Sequence, residues 1–237
     1  MISQEDLSLL EKALPTMADK EKRKNLALLR QYQKEMKKEI GVESFLDFIK
    51  HVYPGYIIGA HHRHLAEIFQ DIANGIKKRV VVNIAPRHGK SEMISYLAPA
   101  WFLGKYPHKK VIMASHTADL EYFAIGVGGA LAGRGADLFI IDDPHSEQDA
   151  KQNRADVFLP AWEWFQSGPI QRLMPGGAII VVMTRWSKLD LTGQIMNQMV
   201  KNDEADPWEI VEFPAILTDK AGQERALWPE FWELEEL

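Results

Sequence analysis

The chain contains no cysteine, which excludes disulfides and thiolate metal sites and accords with a cytosolic setting. No apolar run approaches the roughly 18 residues that a membrane span requires, and the N-terminus has no signal-peptide pattern. A basic excess is also missing. With 28 Lys and Arg against 33 Asp and Glu, the formal net charge is −5, so the chain as a whole is no DNA clamp. Any nucleic-acid contact must be local or come from outside it. Neither HExxH nor G-x-S-x-G occurs, so a zinc protease or a serine-triad hydrolase has no anchor. Internal repeats and low-complexity tracts are absent as well. What remains is a chain of 237 residues, 46% hydrophobic, long enough to bury one large core with a small appendage. Glu230, Glu233, Glu235 and Glu236 crowd the end and read as a solvated face.

Periodicity divides the chain. Residues 1–50 read as a helical appendage, with Leu7, Leu9, Leu10 and Leu14 ahead of a Lys/Glu-rich stretch over 20–39. Phe45, Leu46, Phe48 and Ile49 form a tighter amphipathic patch that Tyr53-Pro54-Gly55 ends. A helix over 62–74, stopped by Gly75, precedes a strand beginning near Val80. Further strands are predicted at 111–115, 136–143, 178–184 (introduced by a Pro175-Gly176-Gly177 turn) and 209–213. Strands separated by helical stretches predict an α/β fold with a mostly parallel sheet flanked by helices, here over 51–237.

The most informative segment is Val80-Val81-Val82-Asn83-Ile84-Ala85-Pro86-Arg87-His88-Gly89-Lys90-Ser91. A β-branched run enters a short turn ending in Gly-Lys-Ser, and a helix-compatible segment follows over 92–103. Strand, loop and helix in that order are what a phosphate-binding P-loop needs. Gly89 lets backbone approach phosphate oxygens, and the helix start offers unpaired N–H groups. Lys90 would neutralise β/γ-phosphate charge, and the Ser91 hydroxyl would hold Mg²⁺. The pattern GxxxxGK[ST] departs at position 84, which is isoleucine. A strand-to-helix turn with a surface lysine is the bland alternative.

The second segment, Ala136-Asp137-Leu138-Phe139-Ile140-Ile141-Asp142-Asp143-Pro144, is a buried strand ending in adjacent carboxylates. Open α/β sheets bind ligands at that end of their strands. One acid would hold the Mg²⁺ shell and the other would orient the attacking water. Asp-Asp-Pro is also ordinary turn chemistry. His61-His62-Arg63-His64 matches no zinc spacing and reads as helix-start or surface histidines near the pocket. Trp162, Trp164 and Phe165 could stack on bases, although core filling is the commoner use of such a cluster.

Together these segments resemble the ATPase domain of the terminase large subunit, the DNA-packaging motor of tailed bacteriophages, over roughly 45–235. Besides the two motifs, the resemblance rests on Val111-Ile112-Met113-Ala114-Ser115-His116, Gly133-Arg134-Gly135-Ala136-Asp137 and Val182-Met183-Thr184-Arg185-Trp186. Terminase P-loops commonly lack the first glycine and carry an arginine, matching Ile84 and Arg87. The resemblance implies a RecA-like sheet of the P-loop ATPase class, with ATP and Mg²⁺ bound and hydrolysis coupled to translocation of double-stranded DNA. Pro86, Arg87, His88, Gly89, Lys90, Ser91 and Glu92 would form the nucleotide loop. Ser91 and Asp142 would hold the metal, Asp143 would activate water, and Arg87 would join the catalytic set. Thr184 would sense the γ-phosphate, and Arg134 would act in trans on a neighbouring subunit's ATP. Implied partners are DNA, a portal protein, a small terminase subunit and further copies in a ring on the procapsid. Isolated chains would be monomers, and the setting would be the host cytoplasm, away from any membrane.

Three departures stand against that pattern. Aspartate, not glutamate, follows Asp142, which makes Glu147 the fallback for water activation. Only 51 residues (91 to 141) separate Lys90 from Asp142, fewer than the family carries, with an abrupt join at Leu120-Glu121 that suggests missing residues. The RNase H-like nuclease domain that follows in the family is expected to lie outside this sequence. Alternative readings are a helicase-like RecA-type ATPase and a nucleotide-binding assembly module without useful turnover.

Overall fold

The computed structural model describes residues 15, 17, 19–116, 124–126, 135–152 and 154–237. The chain divides into two compact units, 1–54 and 55–237. In the first, α1 (Asp19–Glu43) covers the predicted charged helix, and α2 (Phe45–Val52) buries Phe45 and Ile49. Ser44 caps α2 by accepting the Asp47 N–H at 3.2 Å. Leu7, Leu9, Leu10 and Leu14 lie outside the described residues.

The second unit is built on a six-stranded sheet in the order β3-β2-β4-β5-β1-β6, every neighbouring pair parallel. The strands are β1 (Arg79–Ile84), β2 (Val111–Ser115), β3 (Ala124–Gly126), β4 (Ala136–Asp142), β5 (Leu173–Met183) and β6 (Glu209–Phe213). A hairpin of β7 (Ile216–Thr218) and β8 (Glu224–Ala226) follows. The unalternated apolar runs of β1, β4 and β5 are central and buried, because helices cover both faces of a parallel sheet. On one face Val81, Phe139, Ile141, Ile179 and Val181 pack with Trp164 and Phe165 of α6 (Ala155–Ser167) and with Ile195 of α7 (Leu191–Lys201). Trp164 and Phe165 are therefore core residues, with Trp162 packed beside them.

Two local features depart from the predicted elements. The Pro175-Gly176-Gly177 turn is instead an irregularity inside β5, where the pairing register with β4 shifts. Gly176 takes φ +82°, and a Cβ on Gly177 would sit 2.9 Å from the Met174 carbonyl, so the strand kinks without ending. The predicted helix after Ser91 begins as a π-helical stretch (Glu92–Leu97) and becomes regular only in α4 (Ala98–Lys105). Pro99 supplies the cause. Its ring has no N–H and would clash with the carbonyl of Ser95 in an α-helix, and a widened turn, with Ala98 N–H on Met93 O, relieves that clash.

Candidate functional site

Each motif residue is delivered to the C-terminal edge of the sheet by its own strand. β1 ends at Ile84 and releases the loop of residues 85–91; β4 ends at Asp142; β5, hydrogen-bonded between them, ends one residue before Thr184. That intercalation makes Thr184 a bridge. Its N–H donates to Asp143 Oδ1 at 3.0 Å and its hydroxyl donates to the Ile84 carbonyl at 3.3 Å. The Lys90 ammonium pairs with Asp143 Oδ2. Asp143 sits at φ +41°, an unusual angle for a residue with a side chain. Its N–H still donates to Val182 O at 2.9 Å, so the turn at the strand end swings its carboxylate towards the loop.

Asp142 is buried, and burial pushes its carboxyl above the ordinary range; the Ser95 hydroxyl works in the opposite direction, and the neighbouring Asp143 charge adds to the rise. Ser95 Oγ donates to Asp142 Oδ2 at 2.6 Å, while Oδ1 is buried without a hydrogen-bond partner. Ser91, Ser115, His116, Asp142, Asp143 and Glu147 line one cleft of about 380 Å³. An orphaned carboxylate oxygen beside a serine hydroxyl suits a hard divalent cation such as Mg²⁺, which keeps waters and shares its shell with phosphate. Among the described residues no group of three or more His, Cys, Asp or Glu could hold a metal on its own.

The loop itself is gripped from behind. His61 and His62, at the start of α3 (Ala60–Ala73), are buried and both reach the carbonyl of His88, at 3.2 and 3.1 Å. His62 Nδ1 accepts the Gly59 N–H at 3.1 Å, so its Nε2 carries the proton that goes to His88 O. The Tyr56 hydroxyl donates to Gly89 O at 3.3 Å, and Trp232 Nε1 donates to Arg87 O at 3.4 Å. His88 turns its ring inward, while the side chains of Pro86, Arg87 and Glu92 face solvent. No motif in the sequence marks this support. The visible signal was that both histidines fall in helical register with the apolar face, His61 with Leu65, Ile68 and Ile72, and His62 with Ala66, Phe69 and Ala73.

Burial lowers His61 to about 4 and His62 to about 3, the proximity of His61 adding to the latter. Both are therefore neutral when folded, whereas unfolded histidine takes a proton near 6.5. The unfolded chain binds more protons between those values, so stability falls as pH is lowered from 6.5 towards 4 and levels off below about 3. Each residue contributes a slope of up to about 1.4 kcal/mol per pH unit. Urea denaturation at pH 7.0, 6.0 and 5.0 should show this loss, and His62→Gln should flatten it; an unchanged slope in that variant would assign the loss elsewhere.

Asp190, which no motif marks, organises the segment after Thr184. Wholly buried, it accepts from Arg185 Nε, from the N–H groups of Trp186 and Ser187, and caps α7 through Gly193 N–H, all at 2.9–3.1 Å. An Asp directly ahead of an amphipathic helix was the available clue. Arg134 lies outside the described residues, as do Leu120 and Glu121. Glu147 opens α5 (Glu147–Gln152), exposed and paired with Lys151 at 2.9 Å.

No protein-family model matches the chain, and no curated protein matches it. Among the described residues, no helix is long and apolar enough to cross a membrane.

Proposed function

We propose that this chain is a Mg²⁺-dependent P-loop ATPase of the RecA-like class, acting as the motor domain of a DNA-packaging terminase. The observation that carries the ATPase reading is the convergence of Lys90, Asp143 and Thr184 beside Ser91 and Asp142 at one sheet edge. Parallel α/β sheets bind ligands there. The motor assignment rests on the motif resemblance and extends the reading to double-stranded DNA, a portal protein, a small terminase subunit and a ring of copies.

In this reading Lys90 and the loop amides take the charge of the β- and γ-phosphates, and Ser91 and Asp142 hold the cation. The cation, when bound, neutralises charge developing on the transferring phosphoryl group. Asp143, released from Lys90 by the phosphates, orients and deprotonates the attacking water. Thr184, bonded both to Asp143 and to the root of the loop, would report loss of the γ-phosphate. Arg134 would supply a neighbouring site in trans.

Steady-state ATPase measurements on purified chain, with and without duplex DNA, test this directly. Asp143→Asn should keep nucleotide binding and lose turnover by about 10²–10⁴-fold. Should Glu147→Gln stop turnover while Asp143→Asn does not, Glu147 is the base. The observation that both Asp143 oxygens are already engaged favours a second reading, a nucleotide-binding assembly module; tight MgATP binding with no turnover under either condition would select it. Failure of the wild-type chain to bind MgATP would remove both.

A further inference from the structure

Ser95 has no part in the chemistry described so far, yet its contacts are unusual. A buried serine inside a helix ordinarily bonds back to a carbonyl one turn earlier. Ser95, with no exposed surface, instead donates its hydrogen bond to a carboxylate on another element, 47 residues away in sequence. The O–H···O distance of 2.6 Å falls in the charge-assisted range.

Backbone architecture explains how it gets there. Pro99 forces the widened π-helical turn, and Ser95 lies within that turn, facing the end of β4. Terminal carboxylate torsions are broad and roughly two-fold, so an untethered Asp142 could rotate and exchange its oxygens. The bond to Ser95 pins Oδ2, and Oδ1 is left buried and unpartnered. Ser91, the other candidate ligand, sits at the entry to the same helical segment.

We propose that Ser95 is a positioning residue for the cation site, fixing the Asp142 carboxylate so that Oδ1 is the oxygen presented to Mg²⁺ or to one of its waters. It touches neither nucleotide nor cation and acts wholly through Asp142. The inference rests on the nucleotide reading above. Residues that orient a metal ligand typically change metal affinity by about 10–100-fold when removed.

The decisive comparison is between Ser95→Thr and Ser95→Val, side chains of nearly the same shape that differ in the hydroxyl. Mn²⁺ binding to the purified chain saturated with a non-hydrolysable ATP analogue is read by the loss of the free-Mn²⁺ electron paramagnetic resonance signal. Metal-free binding of the same analogue is measured in parallel. Ser95→Thr should stay within about 3-fold of wild type for Mn²⁺, whereas Ser95→Val and Ser95→Ala should weaken it by about 10-fold or more. Metal-free analogue binding should remain within about 2-fold in all of them. Equal Mn²⁺ affinity for the Thr and Val variants overturns the proposal. A parallel fall in metal-free binding also overturns it, because that marks a packing role alone. If wild-type chain binds no analogue with or without Mn²⁺, the nucleotide reading itself has failed, a result distinct from either.

Discussion

Lys90→Ala is expected to abolish ATP turnover, by about 10²–10³-fold or more, while leaving the fold standing. Lys90 is the single lysine of the loop, and its ammonium already sits where the acidic strand and the loop meet. Loss of one preorganised donor to developing charge is enough for a drop of that size. The variant leaves Asp143 bonded to the Thr184 N–H and about a third exposed, so the carboxylate remains solvated and the thermal midpoint should move by only a few degrees. Phosphate-release kinetics and a circular-dichroism melt on the same preparation separate the two effects. A folded variant with normal turnover would end the P-loop assignment.

Gly89→Ala should be the most disruptive small substitution in the loop. Gly89 takes φ +76°, and an added Cβ would lie 2.4 Å from His62 Nε2 and 2.7 Å from the Tyr56 hydroxyl. His62 cannot retreat cheaply, since it is buried and bonded at both nitrogens. Left-handed strain of about 1–3 kcal/mol combines with an overpacking cost of about 1–3 kcal/mol. Gly75 is the control. It has nearly the same φ, +77°, but an added Cβ there meets nothing within 4 Å. Chemical denaturation should show Gly75→Ala losing the strain term alone and Gly89→Ala losing clearly more. Equal losses would mean that the histidine and tyrosine contacts do not confine the loop.

Much of this architecture was legible because burial on both faces leaves a plain mark. Val80-Val81-Val82, Leu138 through Ile141 and Ile179 through Val182 have no polar alternation, and they are the central strands β1, β4 and β5. Gly75 ended its helix through its left-handed backbone, as its composition suggested. Sheet order was harder to see. Nothing in the apolar runs places β5 between β1 and β4, and on that placement depends the contact of Thr184 with both Ile84 and Asp143. The inward turn of His61 and His62 was hidden because a histidine pair reads as polar surface until a carbonyl partner is known. Pro99 stood in plain view, but its effect is felt four residues earlier, at Ser95. Asp142 announced itself by position, and Ser95 did not.

Lys90 is paired with Asp143 across the loop and the strand end. The lysine already holds a tethered carboxylate, so in the proposed ATPase a triphosphate would meet an internal competitor and have to exchange with it. Such a competitor lowers the observed affinity by the fraction of time it holds the lysine. In the proposed ATPase it would also set an order of events, the carboxylate becoming free for water only once phosphate had taken its place. Emptying the site returns the carboxylate to the lysine, and the resting chain would then hold its general base out of use until the next nucleotide arrives.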